Sequence, residues 1–199
     1  MQVMFNTEYE AKFINIDKNA IREKLRSSNA TLVKPEFLQK RVSFNFPKGH
    51  EVEGGWIRVR DEKDKVTMSV KIINGSKITN QKEICLKIDS FNEAEKFLVV
   101  LGCERKSYIE NKRELWKIED VEITLDEWPF IEPFVEIEAD SEEKVKKISK
   151  LLGFDYSQAL FGSTDIITQK KYALSAQVIN KISFIAFDSE NPYLNIDNK

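Results

Sequence analysis

Two carboxylates and a lysine stand at alternate positions near the start of the chain, as Glu8, Glu10 and Lys12. Alternate side chains of a β-strand point to the same face, so these three would form one charged row over about 13 Å of strand. The two like charges would repel each other unless a divalent cation or an ion-pair partner holds them. The opposite face would be apolar, with Phe5, Tyr9, Ala11 and Phe13.

Similar charged rows occur on several later candidate strands, with acidic pairs and basic pairs on different strands. Carboxylates bind hard cations, and guanidinium groups bind anions through a planar fork. A closed barrel with these faces inward would therefore hold metal ions against the carboxylates and an anion against the guanidinium groups. The charged residues are Arg58, Arg60, Lys71, Glu83, Arg113, Glu136 and Glu138.

Composition limits the class of protein. The 199 residues favour one domain, and the net charge of -2, from 31 basic and 33 acidic side chains, gives no global attraction to nucleic acid or to an anionic membrane. Two cysteines and one histidine are too few for a zinc site of four protein ligands. The sequence has no secretory pattern and no long apolar run. We therefore expect a cytoplasmic protein that binds neither nucleic acid nor membrane.

Hydrophobic periodicity predicts a strand, a helix, four strands, a helix, three strands and further helices. Eight mostly antiparallel strands can close into a barrel, which removes exposed edges. We predict an α+β protein with a closed eight-stranded antiparallel β-barrel and flanking helices; an open sheet with helices on one face is the alternative. The predicted strands lie near residues 4–13, 37–46, 56–60, 66–73, 81–88, 106–116, 121–128 and 134–138, and the helices near 17–28, 91–101, 141–152 and 155–172.

In this order and on this strand pattern, the charged residues resemble the CYTH superfamily of triphosphate tunnel metalloenzymes. That superfamily includes class IV adenylyl cyclases, thiamine triphosphatases and tripolyphosphatases. The resemblance rests on Glu8-x-Glu10-x-Lys12, Arg58-Val59-Arg60, Lys71, Glu83, Arg113 and Glu136-Ile137-Glu138. It spans roughly residues 4–172 and implies a CYTH domain over residues 1–175. Residues 176–199 would then form an irregular C-terminal tail with no role assigned.

The resemblance also implies a small-molecule triphosphate bound inside the barrel with Mg²⁺ or Mn²⁺. A triphosphate carries about four negative charges, which arginine and lysine can neutralise, and both metal ions prefer oxygen ligands. One ion would bridge phosphate oxygens, and a second could activate the attacking water. The implied triphosphate-binding residues are Lys12, Arg58, Arg60, Lys71 and Arg113. The implied metal ligands are Glu8, Glu10, Glu83, Glu136 and Glu138, with Glu8, Glu10 and Lys12 catalytic.

The chain departs from the usual family pattern at three positions. Gln81 and Cys85 flank Glu83, where many members carry a basic residue and a second glutamate. Asn111 stands two residues before Arg113, where many members carry lysine. Fewer inward cations suggest a tunnel less suited to a highly charged polyphosphate.

The sequence does not decide which of two neighbouring basic residues faces the lumen, and it predicts an ordinary packing role for the tryptophans. Either Lys40 or Arg41 could face the lumen, and spacing does not decide which. Trp56, Trp116 and Trp128 are expected to pack rather than to stack on a base.

We expect a metal-dependent phosphohydrolase that acts on inorganic tripolyphosphate or an organic triphosphate. A class IV-type adenylyl cyclase, which makes cyclic AMP and pyrophosphate from ATP, is the alternative because the same groups serve both reactions. The His-Phe pair associated with the N-terminus of such cyclases is absent, since residues 3–6 read Val-Met-Phe-Asn. A non-catalytic polyphosphate- or nucleotide-binding module is the third possibility, but binding alone does not need two acidic pairs. The sequence is silent on the oligomeric state.

Overall fold

One β-sheet organises the chain. In the computed structural model, which describes residues 5–194 and 196, its strands curve into a nearly closed antiparallel barrel surrounded by helices. The strands are β1 (Asn6–Thr7), β2 (Tyr9–Phe13), β3 (Thr31–Asn45), β4 (Gly55–Asp61), β5 (Val66–Ile73), β6 (Gln81–Ile88), β7 (Glu104–Ile118), β8 (Val121–Glu127), β9 (Phe134–Ala139) and β10 (Phe184–Ile185). The helices are α1 (Lys18–Ser27), α2 (Phe91–Val100), α3 (Glu142–Leu151), α4 (Asp165–Tyr172) and α5 (Ala176–Ile179).

The N-terminal segment closes the barrel. The strand order is β1-β6-β5-β4-β3-β7-β8-β9-β2, and Glu8 alone separates the two terminal strands β1 and β2. The Glu8 amide donates to the Gln81 carbonyl over 3.0 Å, which keeps the connection in place. The predicted α+β barrel is therefore confirmed, and the open sheet is excluded. Nine strands replace the predicted eight because the first is split at Glu8.

Apolar side chains point outward from the barrel and are covered by helices. Against one side, Leu25 of α1 and Ile148 of α3 join Ile123 and Ile137 of the sheet in one buried cluster. Burying such a side chain contributes about 1.5–3 kcal/mol, so packing holds these helices more than their intrinsic propensity does. Against the other side, α2 covers a second cluster formed with β3 and β4. Because the outer face holds the core, the lumen is left to polar side chains.

Helices α1 and α2 begin where the sequence predicts. The Asp17 carboxylate accepts a hydrogen bond of 2.7 Å from the Ala20 amide, and the Ser90 hydroxyl accepts one of 3.3 Å from the Glu93 amide. Such caps satisfy amides that have no partner within the helix. None of the helices in the described residues is long and apolar enough to cross a membrane.

Two element boundaries differ from the prediction. Strand β3 begins at Thr31 and continues through Pro35, since a register shift against β7 between Lys34 and Phe37 takes the proline, which has no amide hydrogen, out of the regular pairing. The predicted helix over 155–172 is α-helical only in α4, with a single 3₁₀ turn at Tyr156–Gln158. Between the two, Leu160 exchanges two backbone hydrogen bonds with Lys12 of β2, so the chain there is extended.

The predicted irregular tail contains structure. Helix α5 and strand β10 lie within it, and β10 pairs in parallel with Tyr108 and Ile109 of β7. The β7–β8 pairing ends at Lys112, so β10 occupies an edge of β7 that β8 leaves free. Met4, at the start of the first predicted strand, and tail residues 195 and 197–199 lie outside the described residues.

Candidate active site

The lumen is a cavity of about 770 Å³ lined by the inward side chains of the strands. The period of two within each strand and the register between strands bring all of the site residues predicted from the sequence to its wall. They are Glu8, Glu10, Lys12, Arg58, Arg60, Lys71, Glu83, Arg113, Glu136 and Glu138. The variant positions Gln81 and Cys85 line the same cavity.

Lys12 lies between carboxylates at the junction of β2 and β9. It forms an ion pair with Glu10, lies 3.5 Å from Glu136 Oε1, and donates to the Gly162 carbonyl over 2.6 Å. Burial alone would lower the pKa of Lys12, but the charges of Glu10 and Glu136 outweigh it and raise the pKa above its ordinary value. Lys12 is therefore a fixed positive charge in the lumen.

A second cluster joins Glu8 and Glu83 with two cations. Lys71 Nζ lies 2.8 Å from Glu8 and 3.5 Å from Glu83, and Arg58 donates to Glu83 over 3.0 Å. Burial raises the pKa of Glu8 to about 8, and a hydrogen bond with Glu83 adds to the rise. Burial would also raise the pKa of Glu83, but the hydrogen bond with Glu8 and the charges of Arg58 and Lys71 lower it. The pKa of Glu8 is therefore raised and that of Glu83 lowered, so Glu8 is the more easily protonated carboxyl of the pair.

The carboxyls of β9 differ from each other in the same way. Burial raises the pKa of Glu138 to about 7, and the charge of Glu10, its partner across the β2–β9 pair, adds to the rise. For Glu136, the charges of Lys12 and Arg113 outweigh burial and lower the pKa. Near neutral pH, some of the acidic side chains in the lumen therefore remain protonated.

The acidic set has the donor chemistry that a hard divalent cation prefers, because all of its ligands are carboxylate oxygens. The raised pKa values of Glu8 and Glu138 mark acidic groups whose charge lacks full compensation from the protein. Among the described residues, no three histidine, cysteine or acidic side chains already form a metal cage. The carboxylates of this set fit a divalent cation, and in the structure lysine side chains form ion pairs with several of them.

The basic side of the lumen has hydrogen-bond donors without acceptors. Among the described residues, the buried Nε atoms of Arg41, Arg58 and Arg60 have no hydrogen-bond partner. Burial lowers the pKa of Arg41 and of Arg60, and the charge of Arg58 lowers both further. Buried donors without a partner are unfavourable, so this cluster is suited to an anion with several oxygen acceptors.

Arg41 is a site residue that the sequence left open. It faces the lumen and is 8% exposed, whereas Lys40 points outward. Its guanidinium lies 4.4 Å from the Trp128 ring centroid and donates to Gln39 and Asn111. The apolar alternation of Val42 and Phe44, both fully buried on the outer face, was the signal that could have placed Arg41 inward.

Asp126 was missed by the sequence analysis. It is fully buried and accepts hydrogen bonds from Arg113, Thr124 and Asn111 over 2.6–2.9 Å. Arg113 also donates to Glu136 over 2.5 Å, so its guanidinium joins two carboxylates. The departure at Asn111 has a structural explanation, because its amide joins Arg41 to Asp126 without adding a charge.

The tryptophans divide between core and cavity. Trp116 is buried and donates to Glu114 over 2.6 Å, in agreement with the packing role predicted for it. Trp56 and Trp128 instead line the cavity.

An antiparallel barrel whose lumen sets carboxylates beside guanidinium groups defines the triphosphate tunnel class of fold. The CYTH domain model matches residues 6–167. The chain therefore belongs to the CYTH family, as its charged rows predict.

Individual relatives agree with this assignment. A Methanocaldococcus jannaschii protein provisionally named an adenylate cyclase is 28% identical over 170 residues, which cover 83% of this chain and 95% of the relative. A conserved hypothetical protein from Pyrococcus furiosus shares the fold with a TM-score of 0.66 at 23% identity, over 81% of this chain and 99% of its own. A Hippeastrum protein shares it with a TM-score of 0.57 at 16% identity, over 84% and 96%. That protein is provisionally named an adenylyl cyclase, and its dominant activity is that of a triphosphatase.

Proposed function

We propose that this protein is a divalent-metal-dependent triphosphatase that binds its substrate inside the barrel. The observation that carries the proposal is that Arg41, Arg58 and Arg60 line one cavity together with the acidic residues of β2 and β9, while their buried Nε atoms have no hydrogen-bond partner among the described residues. A triphosphate would supply oxygen acceptors to those donors and negative charge to a metal held by the carboxylates. Members of the CYTH family are enzymes of this kind or resemble adenylate cyclases.

The triphosphate would be bound by the basic residues of the lumen. Within the part of the chain that the structure describes, the Nε atoms of Arg58 and Arg60 have no hydrogen-bond partner, and Arg41 adds a third guanidinium in the same condition. Lys12 and Lys71 would contribute point charges. Arg113 would bind the triphosphate while it keeps its ion pairs with Asp126 and Glu136. The proposed binding set is therefore the one predicted from the sequence with Arg41 added: Lys12, Arg41, Arg58, Arg60, Lys71 and Arg113.

The acidic residues would hold Mg²⁺ or Mn²⁺. Glu8, Glu10, Glu83, Glu136 and Glu138 are the proposed ligands, all on the cavity wall. When bound, the metal would neutralise phosphate charge and lower the pKa of a coordinated water. Glu8 and Glu138 must lose their protons before they can act as ligands, and Lys12 would keep Glu10 and Glu136 oriented.

This proton requirement predicts a pH-dependent metal effect. A carboxyl with a raised folded pKa stabilises the fold fully below its unfolded pKa, and that stabilisation is lost as pH rises through the folded pKa. With values of about 8 for Glu8 and about 7 for Glu138, the metal-free protein should lose stability as the pH rises towards 8. Metal should replace the lost stabilisation, so the rise in melting temperature with Mn²⁺ over EDTA should be larger at high than at low pH. Thermal melts at pH 6 and pH 8.5 measure this, and equal rises would contradict it.

Hydrolysis and cyclisation differ in the phosphorus that is attacked. The activity reported for the Hippeastrum structure supports hydrolysis, whereas the provisional name of the Methanocaldococcus relative favours a cyclase. In hydrolysis, water attacks the terminal phosphorus and the organic group is dispensable. In cyclisation, the ribose hydroxyl attacks the α-phosphorus and pyrophosphate leaves. Cytoplasmic location and independence from nucleic acid stay predictions from the composition.

A product assay tests the proposed function. With Mg²⁺ or Mn²⁺, we expect inorganic tripolyphosphate to give phosphate and pyrophosphate in equal amounts, and ATP to give little or no cyclic AMP. Ion-exchange chromatography resolves these products, and a reaction with EDTA is the control. Rapid formation of cyclic AMP with tripolyphosphate inert would reverse the assignment. Binding of both compounds without any product would indicate a non-catalytic binding module.

A further inference from the structure

The C-terminal segment, residues 173–194, lies beyond the part of the chain that the CYTH domain matches, which ends at residue 167. It is nonetheless built into the barrel. Tyr108 of β7 donates its amide to the Ser183 carbonyl over 2.9 Å, and β10 continues the wall where the β7–β8 pairing stops. Leu174 and Tyr193, both buried, hold the two ends of the segment in one apolar cluster.

One face of this segment lines the cavity. Its lining side chains are mostly apolar, and Ile109 of β7 continues the same surface. Lys106 donates to the Asn180 side chain over 2.6 Å, which ties the segment to β7. We call this surface the isoleucine wall: Ile109, Ile179, Ile182 and Ile185.

The isoleucine wall begins beside the basic cluster. Ile109 is the direct cross-strand partner of Arg41, and Arg41 is the direct partner of Arg60. A triphosphate bound by the arginines would therefore lie next to apolar surface. The phosphate chain cannot use that surface, because apolar groups offer no hydrogen bonds or charge to its oxygens.

The size of the cavity also exceeds the needs of a phosphate chain. Its volume of about 770 Å³ lies in the range of roughly 300–1,000 Å³ that accommodates drug-sized organic ligands. Ile109 and Ile182 are the half-buried members of the isoleucine wall, whereas Ile179 and Ile185 are buried in the apolar cluster behind them. Covering the exposed part of Ile109 and Ile182 with a ligand would be favourable, because it removes apolar surface from water.

We propose that the isoleucine wall is a subsite for the organic group of an organic triphosphate. The proposal rests on the proposed function for the position of the phosphates, and it names the substrate class. Inorganic tripolyphosphate would fit the arginines and be cleaved, but it would leave the wall uncovered. The C-terminal segment would thus set the preference between the two kinds of substrate.

The test compares Ile182→Ala with Phe184→Ala. Ile182 lines the cavity, whereas Phe184, two residues later, is 52% exposed and stacks on Tyr108 with ring centroids 5.4 Å apart. Calorimetry in EDTA measures binding of ATP, CTP, thiamine triphosphate and tripolyphosphate, and phosphate release with Mn²⁺ measures kcat and KM. We expect at least one organic triphosphate to bind more tightly than tripolyphosphate. Ile182→Ala should weaken the binding of that compound about tenfold and the binding of tripolyphosphate less than about twofold, whereas Phe184→Ala should change neither affinity.

Two results would overturn the subsite: wild-type protein that binds tripolyphosphate at least as tightly as every organic compound, or an Ile182→Ala variant that weakens all four equally. If Ile182→Ala lowers the melting temperature strongly, Ile182→Val removes one methyl group and should shift the ratio in the same direction by less. If binding shows no preference for organic triphosphates but hydrolysis is intact, the subsite is refuted and the proposed triphosphatase activity still stands. A selective shift in binding without any hydrolysis would support the subsite and refute the triphosphatase.

Discussion

Replacing Glu8 and Glu10 together by glutamine should lower kcat by at least about a thousandfold, since loss of even one preorganised electrostatic contact to a transition state costs about 10²–10³. Glutamine keeps the shape of both side chains but removes the negative charge that would hold the metal. The barrel should stay folded because Lys12 keeps its contacts with Glu136 and the Gly162 carbonyl. Phosphate release from tripolyphosphate with Mn²⁺, together with circular dichroism, measures both effects.

Glu127→Gln is the matched control for this double variant. Glu127 lies on the outer face of β8, directly after the buried Asp126, and accepts a hydrogen bond of 3.1 Å from Lys18. Its loss should leave kcat unchanged. Near-normal turnover by the double variant at saturating Mn²⁺ would show that Glu8 and Glu10 do not hold a required metal.

Arg41→Ala and Arg60→Ala should each lower kcat/KM by about 10- to 150-fold, which corresponds to one charge-assisted contact worth roughly 1.5–3 kcal/mol. The melting temperature of the substrate-free protein should not fall. Burial lowers the pKa of both arginines, and the charge of Arg58 lowers them further, so each charge is unfavourable in the empty cavity. Steady-state kinetics with tripolyphosphate and thermal melts without ligand measure the two effects.

Lys40→Ala is the control because Lys40 adjoins Arg41 on β3 but points outward. It should change neither kcat/KM nor substrate binding. A loss in Lys40→Ala as large as in Arg41→Ala would mean that only the general basic charge of β3 matters. A clear fall in the melting temperature of Arg60→Ala would mean that the arginine stabilises the fold instead of binding the substrate.

The sequence by itself determined which charged residues share a face. Glu8, Glu10 and Lys12 had to point the same way in any strand, because the side-chain period of two is a local property of extended backbone. The same reasoning placed Arg58 with Arg60 and Glu136 with Glu138. It also predicted the barrel, since eight mostly antiparallel strands can close on themselves and so remove their exposed edges.

The tertiary structure alone decided which of these charges meet. The contacts of Lys71 with both Glu8 and Glu83 depend on the pairing of β1 with β6, and Arg113 meets Asp126 only through the register of β7 and β8. Those pairings join residues that are distant in the chain, so no local pattern encodes them.

The C-terminal segment shows where local signals end. Helix α5 has four residues and strand β10 has two, which is too short for either period to be visible. Strand β10 forms because β8 stops pairing at Lys112 and leaves the edge of β7 free. The isoleucines are visible in the sequence of the segment, but their place beside the cavity follows from the pairing of β10 with the free edge of β7, a strand distant in the chain.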